Sequence, residues 1–141
     1  MKDYKELLDL ILYKFLNKTI ENLYFNITIP ISISMLYYMD KIYLFKKITP
    51  SQLADEVKVS RPASTKMVKK LLKLGYIEKN TSEIKGNTYT VSLTKEGHEI
   101  YKISNKINEE FIDLLYKHLE LDKINDLTLK LNGLLDEYNS L

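Results

Sequence analysis

The stretch from Thr49 to Thr94 constrains this chain more than any other. Thr49-Pro50 is a helix start: a hydroxyl to accept from a free N–H, and a proline where a missing N–H costs nothing. Ser51 to Val57 reads as a short helix with Leu53, Ala54 and Val57 inward, and Lys58-Val59 as a tight turn. Ser60 caps a longer helix whose predicted inward stripe is Ala63, Met67, Leu71 and Leu74, and Gly75 ends it. Two runs of strand period follow: Tyr76 to Lys79, then Tyr89, Val91 and Leu93 alternating with Thr90, Ser92 and Thr94. Between them Asn80 to Asn87 are polar and close on Gly86-Asn87, a turn signal. Short helix, turn, capped helix, hairpin: that order predicts a winged helix-turn-helix.

The flanks read as helices. Leu8, Ile11, Leu12, Phe15, Ile20 and Leu23 recur at helical spacing from Tyr4 to about Tyr24. Ile27, Ile29, Ile31 and Ile33 alternate with polar residues as in a strand, yet Thr28 and Pro30 also resemble a helix start. With Leu36, Tyr37, Met39, Tyr43 and Leu44 continuing at helical spacing, a helix from about Pro30 to Phe45 is expected. Thr94 caps a long helix striped by Ile100, Ile103, Ile107, Phe111, Leu114 and Leu115. It breaks around Glu120 to Asp122, and a last helix carries Ile124, Leu127, Leu131, Leu134 and Tyr138. The fold class expected is mainly α with a small β-hairpin wing (α+β). It forms a single domain over 1–141, with the winged lobe at about 30–95 and helices at 1–26 and 95–141 around it.

Charge is concentrated in one place. Of the 21 basic residues six lie between Lys58 and Ile77, where no acidic residue occurs; the rest of the chain holds fifteen basic against nineteen acidic. A cationic segment on a mildly acidic molecule is the footprint of a nucleic-acid-binding element, although charge runs are commonly just solvated helix faces. Other classes fall away. The chain lacks cysteine, so disulfides, thiol switches and zinc ribbons are excluded, and with two histidines, His98 and His118, a histidine-built metal site is hard to assemble from one chain and none is expected. No glycine-rich phosphate loop and no nucleophile–base pairing can be written, so neither an enzyme nor a cofactor is expected. Asn22 to Met39 is too polar for a membrane span, and the charged start is unlike a signal peptide, so the chain is expected in the cytoplasm.

An α-helix fits the major groove and meets base edges near its N-terminus, where free N–H groups also favour phosphate. The end presented here is Ser60-Arg61-Pro62-Ala63-Ser64-Thr65-Lys66, and Arg61, Ser64, Thr65, Lys69 and Lys73 are expected opposite the buried stripe. Arg61 is the single arginine of the chain. Its planar fork can grip guanine O6 and N7, a role lysine fills poorly; a phosphate contact or an idle surface position are the other readings.

Residues 49 to 102 resemble the MarR family of transcription regulators through SQLADEV, SRPASTKMVKKLLKLGYI and VSLTKEG, and the flanking helices fit the same layout. The resemblance implies a homodimer built from the first and last two helices, on a pseudo-palindromic double-stranded DNA operator, more often as a repressor. The DNA-contacting set expected is Ser51, Ser60, Arg61, Pro62, Ser64, Thr65, Lys66, Lys69 and Lys70, with Lys85, Asn87 and Thr88 on the wing. Arg61, Ser64 and Thr65 should face bases, and Lys66, Lys69, Lys70 and Lys85 should neutralise backbone charge. The dimer interface expected is Leu8, Ile11, Leu12, Phe15, Ile124, Leu127, Leu131, Leu134 and Leu135, whose apolar density independently favours a dimer.

One departure from the family's pattern lies in the wing. Lys85-Gly86-Asn87-Thr88 has neither the acidic residue nor the arginines common there, which predicts weaker minor-groove engagement. Family members often release DNA on binding a small phenolic or lipophilic ligand. Tyr13, Tyr24, Tyr37 and Tyr38 are either the lining of such a pocket or ordinary packing. Two rivals keep the fold and change the partner: a winged-helix protein-interaction module, and an architectural protein that binds DNA without sequence preference.

Overall fold

The structure, a computed structural model, describes residues 1, 3–26, 31–81 and 88–140, with the side chains of 24–26 outside that description. Its elements are α1 (Tyr4–Asn26), α2 (Ile33–Phe45), α3 (Pro50–Val57), α4 (Arg61–Lys73), β1 (Ile77–Asn80), β2 (Thr90–Leu93), α5 (Lys95–His118) and α6 (Leu121–Asn139). The predicted fold class is what is found: a mostly helical winged helix-turn-helix with one antiparallel hairpin. The chain divides into two compact units, Met1–Asn105 and Lys106–Leu141.

Local chemistry sets the element ends in the first unit. The Thr49 side chain accepts from the Gln52 N–H at 3.1 Å while the Thr49 N–H donates to Gln52 Oε1 at 3.0 Å, a reciprocal cap at the start of α3. Lys58 ends α3 in the left-handed region (φ 60°, ψ 48°), which aims the N–H groups of Lys58 and Val59 back at the carbonyls of Asp55 and Ala54. At the end of α4, Gly75 takes φ 77°, a conformation that costs glycine little. The N–H groups of Gly75 and Tyr76 then bond the carbonyls of Leu72 and Leu71, both at 3.1 Å, closing the helix with two paired bonds.

Thr94 ties the hairpin to both neighbouring helices. Its hydroxyl donates to the Gly75 carbonyl at 2.6 Å and accepts from the Gly97 N–H at 3.1 Å, while its own N–H reaches the Tyr76 carbonyl at 3.0 Å. Gly97 sits so close beneath this junction that a Cβ there would overlap the Tyr76 carbonyl oxygen. Its role is close approach, which the sequence alone does not reveal.

The strands pair Ile77 with Leu93 through Asn80 with Thr90. Ile48, after α2, adds a bridge to Val91 with N–H···O distances of 3.2 and 2.8 Å, so the linker before α3 is stitched to the wing. One core joins Leu23 of α1, Met35, Met39 and Ile42 of α2, Leu53 of α3, Val68 and Leu71 of α4, Val91 of β2 and Ile100 of α5.

Two expectations are corrected. The helix expected from about Pro30 begins at Ile33, with Ser32 as its cap accepting from the Met35 N–H at 3.2 Å; Thr28 and Pro30 lie outside the described residues. The inward stripe of α4 is rotated. Ser64, Val68 and Leu71 are fully buried, Met67 and Leu74 are partly buried, and Ala63 is exposed. Tyr38, named above for an effector pocket, is a core residue of α2, 4% exposed.

In the second unit α6 buries no side chain at all: Leu131, Leu134, Leu135 and Tyr138 are exposed, and Ile124 and Leu127 half-buried. Ile112, Leu114, Leu115 and Tyr116 on the second half of α5 are exposed as well. In the first unit α1 presents Leu7, Leu8, Ile11, Leu12, Tyr13, Leu16 and Ile20 outward, with Phe15 half-buried.

Candidate nucleic-acid interface

The α3–turn–α4 pair is held by one buried polar contact. The Ser64 hydroxyl, 0% exposed, donates to the Pro50 carbonyl at 3.2 Å, joining the first turns of the two helices. Pro50 lacks an N–H, but its carbonyl still accepts, and a small hydroxyl is what fits a close helix crossing. Ser64 was expected among the base-facing residues; the structure commits it to packing instead. Helical spacing explains the error, since adjacent positions differ by about 100° and a polar residue was assumed to face outward.

With Ser64 inside, the outward face of α4 is defined. Ser60 caps the helix, accepting from the Ala63 N–H at 3.3 Å. Arg61, Pro62, Ala63, Lys66, Lys69, Lys70 and Lys73 are exposed, and Thr65 is half-buried. Arg61, Pro62, Thr65, Lys66 and Lys69 line one open hollow of about 540 Å³, and no carboxylate lines it. Ionised groups in this hollow are therefore of one sign, which favours an anionic surface. Lys70 and Lys73 fall in the last turn, where a cation also complements the negative end of the helix dipole.

The other expected contacts separate. Ser51 is exposed on the first turn of α3, and Thr88 is exposed just before β2. Lys85 and Asn87 lie outside the described residues. Within the wing, the Lys79 ammonium sits 4.4 Å from the Tyr89 ring centroid, and Asn80 donates to the Ser92 hydroxyl at 3.1 Å. Sequence reading missed Ala63: an alanine counted as core is an exposed methyl on the first turn of α4, flanked by Pro62 and the buried Ser64. Its place three residues after the Ser60 cap was the available signal.

Of the tyrosines expected to line an effector pocket, Tyr13 and Tyr37 are exposed, Tyr38 is in the core, and the Tyr24 side chain lies outside the description. Lys41 places its ammonium 5.5 Å from the Tyr37 ring centroid. Between these residues Asp40 is partly buried on α2; desolvation, opposed by the charge of Lys41, raises its pKa to about 6. Among the described residues no group of three acidic or histidine side chains could hold a metal ion, and no helix is long and apolar enough to cross a membrane.

The fold and this surface together define a winged helix-turn-helix protein. Residues 31–83, from α2 through the first strand of the wing, match the model of the MarR family. A curated relative, an uncharacterised HTH-type transcriptional regulator of Mycobacterium leprae, is 24% identical over 94 residues, which is 67% of this chain and 66% of the relative's length. FabT of Streptococcus pneumoniae, solved in complex with DNA, superposes with a TM-score of 0.72 at 23% identity, covering 98% of this chain and 99% of FabT. MepR of S. aureus, solved bound to ethidium bromide, gives a TM-score of 0.69 at 15% identity over 97% of each chain.

Proposed function

We propose that the chain is a sequence-specific, double-stranded-DNA-binding transcription regulator that works as a homodimer on a pseudo-palindromic operator. The observation that carries the reading is the hollow on α4, where Arg61, Pro62, Thr65, Lys66 and Lys69 meet without a carboxylate at the capped end of an exposed helix. A helix presented this way enters a major groove N-terminus first. Arg61 then faces a base edge, Thr65 lies beside it, and the Ala63 methyl is available to a thymine methyl. Lys66, Lys69 and Lys70 neutralise phosphates, and the positive dipole end of α4 at Ser60 favours another. FabT, a structural neighbour, is seen in complex with DNA, which supports the same partner here.

The dimer rests on the apolar faces of α1, α5 and α6. Leu8, Ile11 and Leu12 on α1, with Leu131, Leu134 and Leu135 on α6, are all exposed in the single chain. Apolar surface in such quantity marks an interface, and two copies joined there bring two recognition helices to half-sites about 34 Å apart. Repression, relieved when a small lipophilic molecule binds, is the regulatory mode this reading adopts. The test is selection from a randomised duplex library by protein whose mass in solution is measured by light scattering. A palindromic consensus bound by a dimer supports the reading. Tight binding without a consensus makes the protein architectural, and failure of a folded dimer to bind duplex at low salt refutes DNA recognition altogether.

A further inference from the structure

Two helices of the first unit end in the same way. At the end of α4 the Gly75 N–H donates to the Leu72 carbonyl and the Tyr76 N–H to the Leu71 carbonyl, with Gly75 at φ 77°. At the end of α3 the Lys58 N–H donates to the Asp55 carbonyl at 3.3 Å and the Val59 N–H to the Ala54 carbonyl at 3.1 Å, with Lys58 at φ 60° and ψ 48°. In both cases one bond reaches back three residues and the other five, so residues 58 and 75 hold equivalent positions of one closing motif. Glycine suits that position, because a side chain in the left-handed region crowds its own backbone. Asparagine eases the crowding as well. The chain places glycine at the end of α4 and lysine at the end of α3.

The two ends differ in their surroundings. Gly75 follows the last turn of α4, a helix of 13 residues that spans about 20 Å. Lys58 stands at the opposite end, two residues before the Ser60 cap and three before Arg61, whose side chain is the first to line the carboxylate-free hollow. The Lys58 side chain is exposed. Among the described residues its ammonium has no hydrogen bond and no ion pair, although Asp55 and Glu56 lie three and two residues back. No contact among those residues therefore explains a lysine at this disfavoured position. A helix that enters a major groove N-terminus first does explain it. The groove is about 12 Å wide, so the residues that lead into such a helix pass the phosphates on its rim. An ammonium on a four-carbon stem at residue 58 reaches those phosphates, and a glycine there would bring no charge. A backbone outlier without an internal partner is where function is to be sought.

We infer that Lys58 is a further DNA-binding residue, which grips a phosphate at the rim of the groove that α4 enters, and that it occupies a glycine position for the sake of that charge. The inference rests on the DNA reading above and adds a contact outside the α4 hollow. The test uses the full chain and a mixed-sequence duplex of about 30 base pairs, long enough for two half-sites one turn apart, titrated across a salt series. Lys58→Gly and Lys58→Gln should each weaken binding about fivefold at low salt and reduce the salt slope by about one per copy bound. Lys58→Arg should restore both, and none of the three should change the consensus taken from a random library. Stability separates the charge from the backbone. Lys58→Gly should raise the urea midpoint, whereas Lys58→Gln should leave it where it was. A midpoint that Lys58→Gly does not raise overturns the claim that lysine is held there against backbone preference. A salt slope unchanged in Lys58→Gln overturns the phosphate contact, as does a loss that Lys58→Arg fails to restore. Lys69→Ala is run alongside. If it lowers the slope and the Lys58 variants do not, the DNA reading stands and this contact falls; a folded chain that binds no duplex at low salt removes both.

Discussion

Alanine at Gly97 and at Gly133 should have opposite effects on stability, although both glycines lie inside helices. In a solvent-facing helix the substitution is worth about 1 kcal/mol of stabilisation through propensity and reduced freedom of the unfolded chain. That is the expectation for Gly133 of α6, where an added Cβ meets nothing within 4 Å. At Gly97 the same Cβ would overlap the Tyr76 carbonyl oxygen and stand 3.4 Å from the Leu93 Cβ. The obstruction is backbone, and that carbonyl already accepts from the Thr94 N–H, so it cannot swing aside without breaking the junction. Overpacking a closed junction costs about 1–3 kcal/mol or more, and separating α5 from β1 lies at the upper end. Against the propensity gain of about 1 kcal/mol, the net loss for Gly97→Ala is about 2 kcal/mol. Urea denaturation followed by circular dichroism, at one fixed protein concentration because any self-association would add to apparent stability, measures both variants. If Gly97→Ala is neutral or stabilising while Gly133→Ala behaves as expected, the close approach of α5 to Tyr76 is refuted.

Further outcomes follow from individual residues. Arg61→Ala should relax base preference at one position per half-site and cost about 1–3 kcal/mol, whereas Lys69→Ala should weaken all duplexes alike and reduce the salt slope by about one. Competition binding across single-base operator variants separates the two effects, and an unchanged consensus for Arg61→Ala removes the base-reading role. Ser64→Ala should lower folding stability by about 1 kcal/mol through loss of the bond to Pro50, with no change in consensus. A shifted consensus would return Ser64 to the DNA face. Asp40 holds its proton to a higher pH folded than unfolded, so its contribution is fully present below about pH 3.8 and lost as pH rises through about 6. Asp40→Asn should flatten that limb of the stability–pH curve and stabilise the protein at pH 7 by about 1 kcal/mol, a figure discounted for solvent screening; a limb that persists in the variant assigns it to another group. The Tyr76 hydroxyl is buried without a hydrogen-bond partner among the described residues, so Tyr76→Phe should be neutral or stabilising by up to about 1 kcal/mol, and a clear loss in urea would show a partner.

The candidate interface on α4 was only half legible in the sequence. The cationic run from Lys58 to Lys73 and the Ser60 cap are one-dimensional features, and the helix, its start and its charge came from them directly. Its rotation did not. Choosing Ala63 over Ser64 as the buried residue follows hydrophobicity, but at a crossing of two short helices small volume outranks polarity once the Pro50 carbonyl can accept. Tyr38 and Tyr37 make the same point: neighbouring tyrosines of identical chemistry, one in the core and one in solvent.

What the sequence by itself determined was the order of the elements and those ends that a local cap writes. Thr49 with Pro50, Ser60, Gly75 and, in its bond to the Gly97 N–H, Thr94 act on groups within a few residues of themselves, so that part of their meaning survives without the fold. Only the tertiary structure decided the rest: which face of α4 is free, why Gly97 has no side chain, how Ile48 reaches the wing, and that Tyr43, Lys46, Ser92 and His98 share one hollow. Those properties depend on what packs opposite, and residues 43 and 98 become neighbours only once α2 and α5 close on the same core.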